Sequence, residues 1–360
     1  MDIKKDYRKI QALNQSAIIT FSKDPVQFYK EYILNQGRSF RGTSATLIGD
    51  LTDFFLLECN ASEMEFDQKF DEKFARIETV GKAQVYTLAD ELFEIAKRSA
   101  VDGVVQENFS AMFKEAFRTV RNAKCYQGED EDKAYKKALE EFLKKGKPYY
   151  DSKLVAMDKS QVNDFQIQTA KRIANQMLTD NNISWIFRGD EDIEYLPKYA
   201  IEFEYMNFDC KMEADMIHIN HSTKMIQPYD LKTTYDNESF ENSYLFRAYY
   251  IQAGYYRLGI IEWAKTELPG YIVNPMKFVV GDTSMNARRP LVYETDWDMF
   301  EESMYGFTYK GEEYKGINTL MEEIKWAEET GIWTISKTNF DNKSTIKMKP
   351  YAEYNTKILE

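Results

Sequence analysis

Histidine, cysteine and long apolar runs are all scarce in this chain, and each scarcity removes a class of function. The two histidines, His218 and His221, sit at one expected hairpin tip, so a histidine-based triad has little material. The three cysteines, Cys59, Cys125 and Cys210, are far apart and form no CxxC. A zinc or iron–sulfur site is therefore not expected, and buried free thiols under reducing conditions are. No GxxxxGK occurs, so a fused ATP motor of that kind is not expected. No apolar run approaches the roughly 20 residues of a membrane span. The opening MDIKKDYRKIQALNQ lacks the apolar centre of a signal peptide, so the expectation is a cytoplasmic protein away from the membrane. Surplus positive charge is also missing. The net charge of −12 counts against general stickiness for nucleic acid, though not against a local basic channel under an acidic exterior.

The 360 residues are 43% hydrophobic and include 25 Tyr and 23 Phe, enough for one large domain or two ordinary ones. The most informative stretch runs from 201 to 256. Residues 200–209 alternate apolar and polar, as a half-buried strand does. Residues 211–219 alternate again, with Met212, Ala214 and Met216 on one face and Glu213 and Asp215 on the other. A turn at Asn220-His221-Ser222-Thr223 leads to a third strand, Met225 to Thr233. Asp230 and Lys232 are two apart on it, so both leave the same face, and Asp215 can sit opposite them. Pro228 just before suggests an edge strand, hence a cluster at a sheet edge.

Two carboxylates and one ammonium suit metal-assisted phosphodiester hydrolysis. Carboxylates hold a hard divalent cation with open positions for water and a phosphate oxygen. A lysine beside them orients the attacking water and offsets charge developing on phosphorus. A D-x-K on a strand is also the common pattern of a solvated ion pair.

The order Asp215, then Asp230-Leu231-Lys232, then Gln252-x-x-x-Tyr256 resembles the core of PD-(D/E)XK nucleases. The phrases CKMEAD, YDLKTT and YYIQAGYY are most similar to the RecE-type (exonuclease VIII) branch, related to RecB-type nuclease domains and more distantly to λ exonuclease. The resemblance spans about residues 13–84 and 154–335 by motif. It includes Ser22, Asp24-Pro25 and Phe28 near the start, and Met157-Asp158-Lys159 ahead of the core. It implies a mixed central β-sheet flanked by helices and a Mg²⁺ or Mn²⁺ cofactor. It also implies 5′-to-3′ exonuclease action on linear duplex DNA ends, leaving single strands for annealing-type recombination. Catalytic roles fall on Asp215, Asp230, Lys232, Gln252 and Tyr256. A phage-type origin, a single-strand annealing protein as partner and a homo-oligomer are implied as well. The family pattern G-x-x-x-H reads here Gly49-Asp50-Leu51-Thr52-Asp53, so Asp53 stands where a histidine ligand is expected. An aspartate there still suits a hard cation, giving Asp53, Asp215 and Asp230 as the expected metal set.

The rest of the chain supplies its surroundings. Residues 1–42 carry Lys4, Lys5, Arg8, Lys9, Lys23, Lys30, Arg38 and Arg41, with a capped helix after Leu13-Asn14, a break at Pro25 and a second helix. Residues 43–58 read as an amphipathic helix capped by Thr43 or Ser44, with Phe54, Phe55 and Leu57 as its anchors. Phe66, Phe70 and Phe74 fit either a helix or a row of aromatic anchors. Residues 85–150 read as a helical insertion with segments 87–100, 109–123 and 132–145. Lys114, Arg118, Arg121 and Lys124 lie along the second, either a phosphate-tracking surface or a solvated face. Lys211, beside the first carboxylate strand, joins Arg118, Arg121 and Lys124 as a candidate DNA contact. Residues 154–188 read as one long helix, and 240–265 as another with Leu245, Tyr249, Gln252 and Tyr256 on one face. Strands at 276–282 and 290–294 and helices at 296–306, capped by Thr295, and 317–329 complete the expectation.

The expected fold is a single α/β domain over 1–360 with a catalytic core at 199–282. Two rivals to the exonuclease stand: a nuclease of the same core acting on single-stranded, flap or endonucleolytic targets, and a nuclease-like DNA-binding module.

Overall fold

The computed structural model describes residues 12–36, 43–58, 63–78, 80–81, 83–101 and 104–345. Lys4, Lys5, Arg8, Lys9, Arg38, Arg41, Cys59 and the last ten residues lie outside them, as does the side chain of Phe66. The chain is a mixed α/β structure in two compact units. The first comprises residues 1–45, 52–58 and 173–360, and the second 46–51 and 59–172. The helical insertion expected at 85–150 falls within the second unit, which runs wider on both sides.

The first unit is built on a six-stranded sheet: β1 (Ile193–Tyr205), β2 (Phe208–Asn220), β3 (Met225–Thr234), β4 (Ile272–Val273), β5 (Lys277–Asp282) and β6 (Leu291–Glu294). The order is β6-β5-β3-β2-β1, with β4 beside the start of β3. β3 runs parallel to β4 and β5, and the other pairs are antiparallel. β1 and β2 turn at Met206-Asn207, both at positive φ (53° and 66°), the two-residue type I′ geometry that matches strand twist. Alternation at 200–209 suggested one unbroken strand there. A two-residue turn keeps the period-two phase, so the pattern runs through it unmarked.

Pro228 does not mark an edge, because β3 is the central strand. Its missing donor falls where pairing on the β4/β5 side is interrupted, between Ile226↔Val273 and Tyr229↔Lys277.

Helix α1 (Gln15–Lys23) starts at Asn14, whose Oδ1 accepts from Ala17 N, and Asp24 both ends it and caps the turn at Pro25–Phe28. Helix α2 (Ser44–Asp53) passes at Asp53 into a π turn, Phe54–Glu58, with Phe54, Leu56 and Leu57 buried. The expected 240–265 helix is two, α3 (Phe240–Phe246) and α4 (Tyr249–Glu267), separated by Ala248 at φ 57°. Leu245 is thus off the Gln252 helix. Helix α4 is buried on nearly every side, as expected of a helix apolar all round. Its contacts include Tyr255, Ile251 and Ile260 in a core shared with Met212, Ala214, Ile217, Phe278 and Val280. Helix α5 (Trp297–Tyr305) is capped by Asp296, not Thr295, whose hydroxyl goes to Met276 O. Helix α6 (Ile317–Thr330) closes the same core through Ile317, Leu320 and Ile324.

In the second unit, helices Gln84–Ser99, Phe109–Asn122, Glu131–Glu141 and Lys147–Val155 enclose Leu88, Leu92, Phe113, Phe117 and Phe142. Lys153 and Tyr149 both bind Asp90 there, at 2.6 and 3.0 Å. The segment 154–188 is not one helix. A short strand, Ser160–Val162, pairs with Phe74–Arg76, and the helix begins only at Asp164. Phe70 lies on a helix, Glu63–Lys73, and Phe74 on that short strand.

Gly254 sets how closely α4 and α5 approach. A Cβ there would lie 2.5 Å from Ser303 Cβ, an atom fixed to its own backbone. Gly254→Ala is expected to lower stability by about 1–2 kcal/mol despite the better helix propensity of alanine. Denaturant unfolding with an unchanged or higher midpoint would contradict this packing.

Candidate active site

The site arises where β2 and β3 part. They are paired from Asn220↔Met225 to Met216↔Tyr229 and no further. Beyond that point β3 keeps β5 as its partner through Thr234↔Asp282. Farther along, β2 is joined by Leu13, which bridges Cys210: Leu13 N donates to Asp209 O and Lys211 N to Leu13 O, both at 2.8 Å. Between these two pairings β2 has, among the described residues, no strand partner on this edge at 212–215. Asp215 lies in the opening, and its Oδ2 accepts the Leu231 amide at 2.8 Å. A side chain thereby satisfies a donor that the departing strand left unpaired.

Alternation along β3 puts Asp230 and Lys232 on one face. Asp230, only 2% exposed in its side chain, accepts from Gln252 Nε2 at 2.6 Å through Oδ1 and pairs with Lys232 through Oδ2. The Lys232 ammonium lies 5.0 Å from the Tyr249 ring centre and 5.9 Å from that of Phe278. On the other side, Lys198 Nζ donates at 2.6 Å to both Asp215 Oδ1 and Asp53 Oδ2. Three carboxylates and two ammoniums therefore stand within one linked set of contacts.

Lys198 reaches them by an irregular route. The β1/β2 register pairs Pro197 with Met216 and Tyr199 with Ala214, but the intervening pair, Lys198 with Asp215, is missing. Lys198 has φ 47°, a left-handed conformation costing a non-glycine residue about 1–2 kcal/mol. Such strain in mid-strand persists only where surrounding contacts hold it, and here the two carboxylates do.

Burial dominates the electrostatics. It pushes Asp53 up to about 7, with the Asp215 charge adding to it against the pull of Lys198. Asp230 rises to about 6, through burial first and then Asp215, despite its Lys232 partner. Burial acts upward on Asp215 too, but Lys198, Lys232 and the Leu231 amide outweigh it and leave that carboxyl below its ordinary value. Burial would lower both lysines; their carboxylate partners outweigh it and raise both.

The structure thus brings Asp215, Asp230, Lys232, Gln252 and Asp53 together. Tyr256, one turn beyond Gln252, is buried, and its hydroxyl accepts from Gln15 Nε2 at 3.1 Å. Lys211 is only 6% exposed, so it is not a surface-displayed cation as a DNA contact requires. In the second unit Arg118 is exposed and 3.9 Å from Glu131. Arg121 is turned inward: its guanidinium binds the carbonyls of Tyr126 and Glu129 and secures the loop after its helix. Lys124 is exposed but sits past the helix end at φ 71°, so the four basic residues do not share one helix face. Of the histidines, His218 is buried against Ile186 O, and His221 lies between Tyr271 and Glu194. Sequence reasoning missed two residues. Gln15 reaches the site from the N-terminal segment, and its Oε1 is buried without a hydrogen-bond partner among the described residues. Lys198 lies just before the strand expected at 200–209 and carries no expected role; the only signal in the sequence is the Pro-Lys step in LPKYA ahead of the alternation.

Among the described residues, no group of three or more His, Cys, Asp or Glu side chains forms a ready cation site. Lys198 stands between Asp53 and Asp215, and Lys232 holds Asp230. The donor chemistry nevertheless fits a hard cation, because the ligands are carboxylate oxygens only and a positive charge already sits between two of them. No helix among the described residues is long and apolar enough to cross a membrane.

No family model and no curated protein matches the chain. Among solved structures, a crystal structure named "Putative exonuclease" from Eubacterium rectale aligns over 97% of this chain and 94% of its own, at TM-score 0.45 and 8% identity. A likeness that weak carries no argument about fold or chemistry.

The crowded carboxylates fix a pH dependence. A carboxyl whose folded pKa exceeds its unfolded value adds stability that is complete below the unfolded pKa and is lost as pH rises through the folded one. For Asp53 that window runs from its ordinary 3.8 to about 7. In EDTA, the unfolding midpoint of Asp53→Asn should fall less across this window than that of the unaltered protein. Parallel profiles would show that Asp53 is not held in the buried, charge-crowded setting described.

Proposed function

We propose that this chain is a metal-dependent nuclease that hydrolyses DNA phosphodiester bonds, of the RecE-like PD-(D/E)XK type. The observation that carries the reading is the meeting of Asp215, Asp230 and Lys232 where β2 leaves β3, with Gln252 fixing Asp230 from α4. Asp215 and Asp230, with Asp53 beside them, would hold Mg²⁺ or Mn²⁺. When bound, such an ion supplies Lewis acidity and lowers the pKa of bound water.

The chain's own groups do the rest. Asp230 is held by Gln252, so its carboxylate stays oriented without rearranging during the reaction. Lys232, backed by Tyr249, sits beside that carboxylate with an ammonium able to orient water and to neutralise charge growing on the phosphate oxygens. Tyr256 and Gln15 fix the wall next to Gln252. Exposed cations such as Lys114, Arg118 and Lys124 supply phosphate contacts in this reading.

The finer reading is 5′-to-3′ digestion of linear duplex ends. Its product serves strand annealing, and the enzyme works as a homo-oligomer beside an annealing protein. What supports it is the wording of CKMEAD, YDLKTT and YYIQAGYY. Nucleases of the same core with single-stranded, flap or internal targets share the same chemistry, so substrate geometry is the discriminating variable.

End-labelled linear duplex should be degraded with Mg²⁺ and left intact in EDTA. Lys232→Ala should lose at least about a hundredfold in rate while still binding DNA, because the ammonium acts on the transition state more than on the ground state. Full activity in folded Lys232→Ala would remove the site assignment.

A further inference from the structure

Lys198 belongs to neither the D-x-K pair nor the Gln/Tyr helix, yet its one ammonium spans two carboxylates of the cluster. Its single nitrogen lies 2.6 Å from Asp53 and 2.6 Å from Asp215. The bridge is largely shielded, with side-chain exposures of 18% for Lys198, 25% for Asp53 and 13% for Asp215. Its backbone leaves the β-region, and the register with β2 lapses at this one pair. An ammonium and a divalent cation seek the same thing here, a position among carboxylate oxygens. The two cannot share it: like charges a few ångströms apart in a shielded site repel strongly.

We infer that Lys198 is an internal stand-in for the metal, an ammonium that occupies the seat between Asp53 and Asp215 and withdraws when a divalent cation enters. The inference rests on the metal-dependent reading of this site and adds a regulatory element to it. In the metal-free protein Lys198 neutralises two crowded carboxylates and keeps them in place. That arrangement preserves the site's shape and sets a threshold cation concentration below which the seat stays filled by the lysine. The side chain is long and partly exposed, with four rotatable bonds by which to leave. Asp215 would retain its Leu231 amide contact when the lysine goes, so one ligand remains oriented through the exchange.

The test is Mn²⁺ binding followed by electron paramagnetic resonance and calorimetry, without DNA or turnover. Four proteins are compared: unaltered, Lys198→Met, Lys198→Arg and Asp230→Asn. Lys198→Met should bind Mn²⁺ about tenfold more tightly or better, because no resident charge has to be displaced. Lys198→Arg keeps the charge and should stay close to the unaltered protein. Thermal unfolding adds a second readout. Lys198→Met should be less stable than the unaltered protein in EDTA, and Mn²⁺ should raise its midpoint by more.

If Lys198→Met binds Mn²⁺ no more tightly than the unaltered protein while Asp230→Asn loses binding, the stand-in role is overturned and the metal site survives. If the unaltered protein and Lys198→Met both fail to bind, or Asp230→Asn binds as well as either, the metal-site reading falls, and the inference with it.

Discussion

Everything at this site depends on one divergence: β2 and β3 stop pairing after Met216↔Tyr229. An interior strand can leave its neighbour only if its stranded donors and acceptors find other partners. β3 keeps β5 on its other side, Asp215 takes the Leu231 amide, and Leu13 covers β2 farther along. The opening is therefore sealed by a carboxylate. A polar side chain had to be put in the gap, and the one put there is acidic.

The remaining charges follow from that choice. A buried carboxylate needs compensation, and this cluster contains three. Two ammoniums answer them, one from each side: Lys232 from the same strand as Asp230, Lys198 from β1. Burial, with the Asp215 charge added to it, outweighs the two ammoniums at Asp53 and Asp230 and raises those carboxyls to about 7 and about 6. Arrangements of this kind are weak contributors to stability, since apolar replacements would pack as well. In the function proposed above, a site with unmet demand for positive charge suits a cation-assisted reaction on a phosphate.

Much of this was legible in the sequence because it obeys local periodicity. The Met212, Ala214 and Met216 face is fully buried, the third strand runs as expected, and Asp230 and Lys232 share a face. Period-two geometry is enforced within a strand, so it survives any tertiary context. What could not be read depended on contacts between distant segments. Pro228 looked like an edge residue because the interruption in pairing lies on the strand opposite it. The helix break at Ala248 has no glycine or proline to announce it. Arg121 looked like a phosphate contact, but its loop folds back so that two carbonyls claim the guanidinium. Lys198 is the clearest case. Its role needs Asp53, 145 residues away in sequence, and a positive φ that no propensity favours at lysine.

The central claim is that the carboxylates of Asp215 and Asp230 form a divalent-cation site at the parting of β2 and β3. Anomalous diffraction from crystals soaked in Mn²⁺ tests it most directly. The account predicts a strong anomalous peak in contact with both carboxylates, with Lys198 drawn away from Asp215. A map in which Lys198 still bridges Asp53 and Asp215, with Mn²⁺ peaks only at other places on the protein, would contradict it.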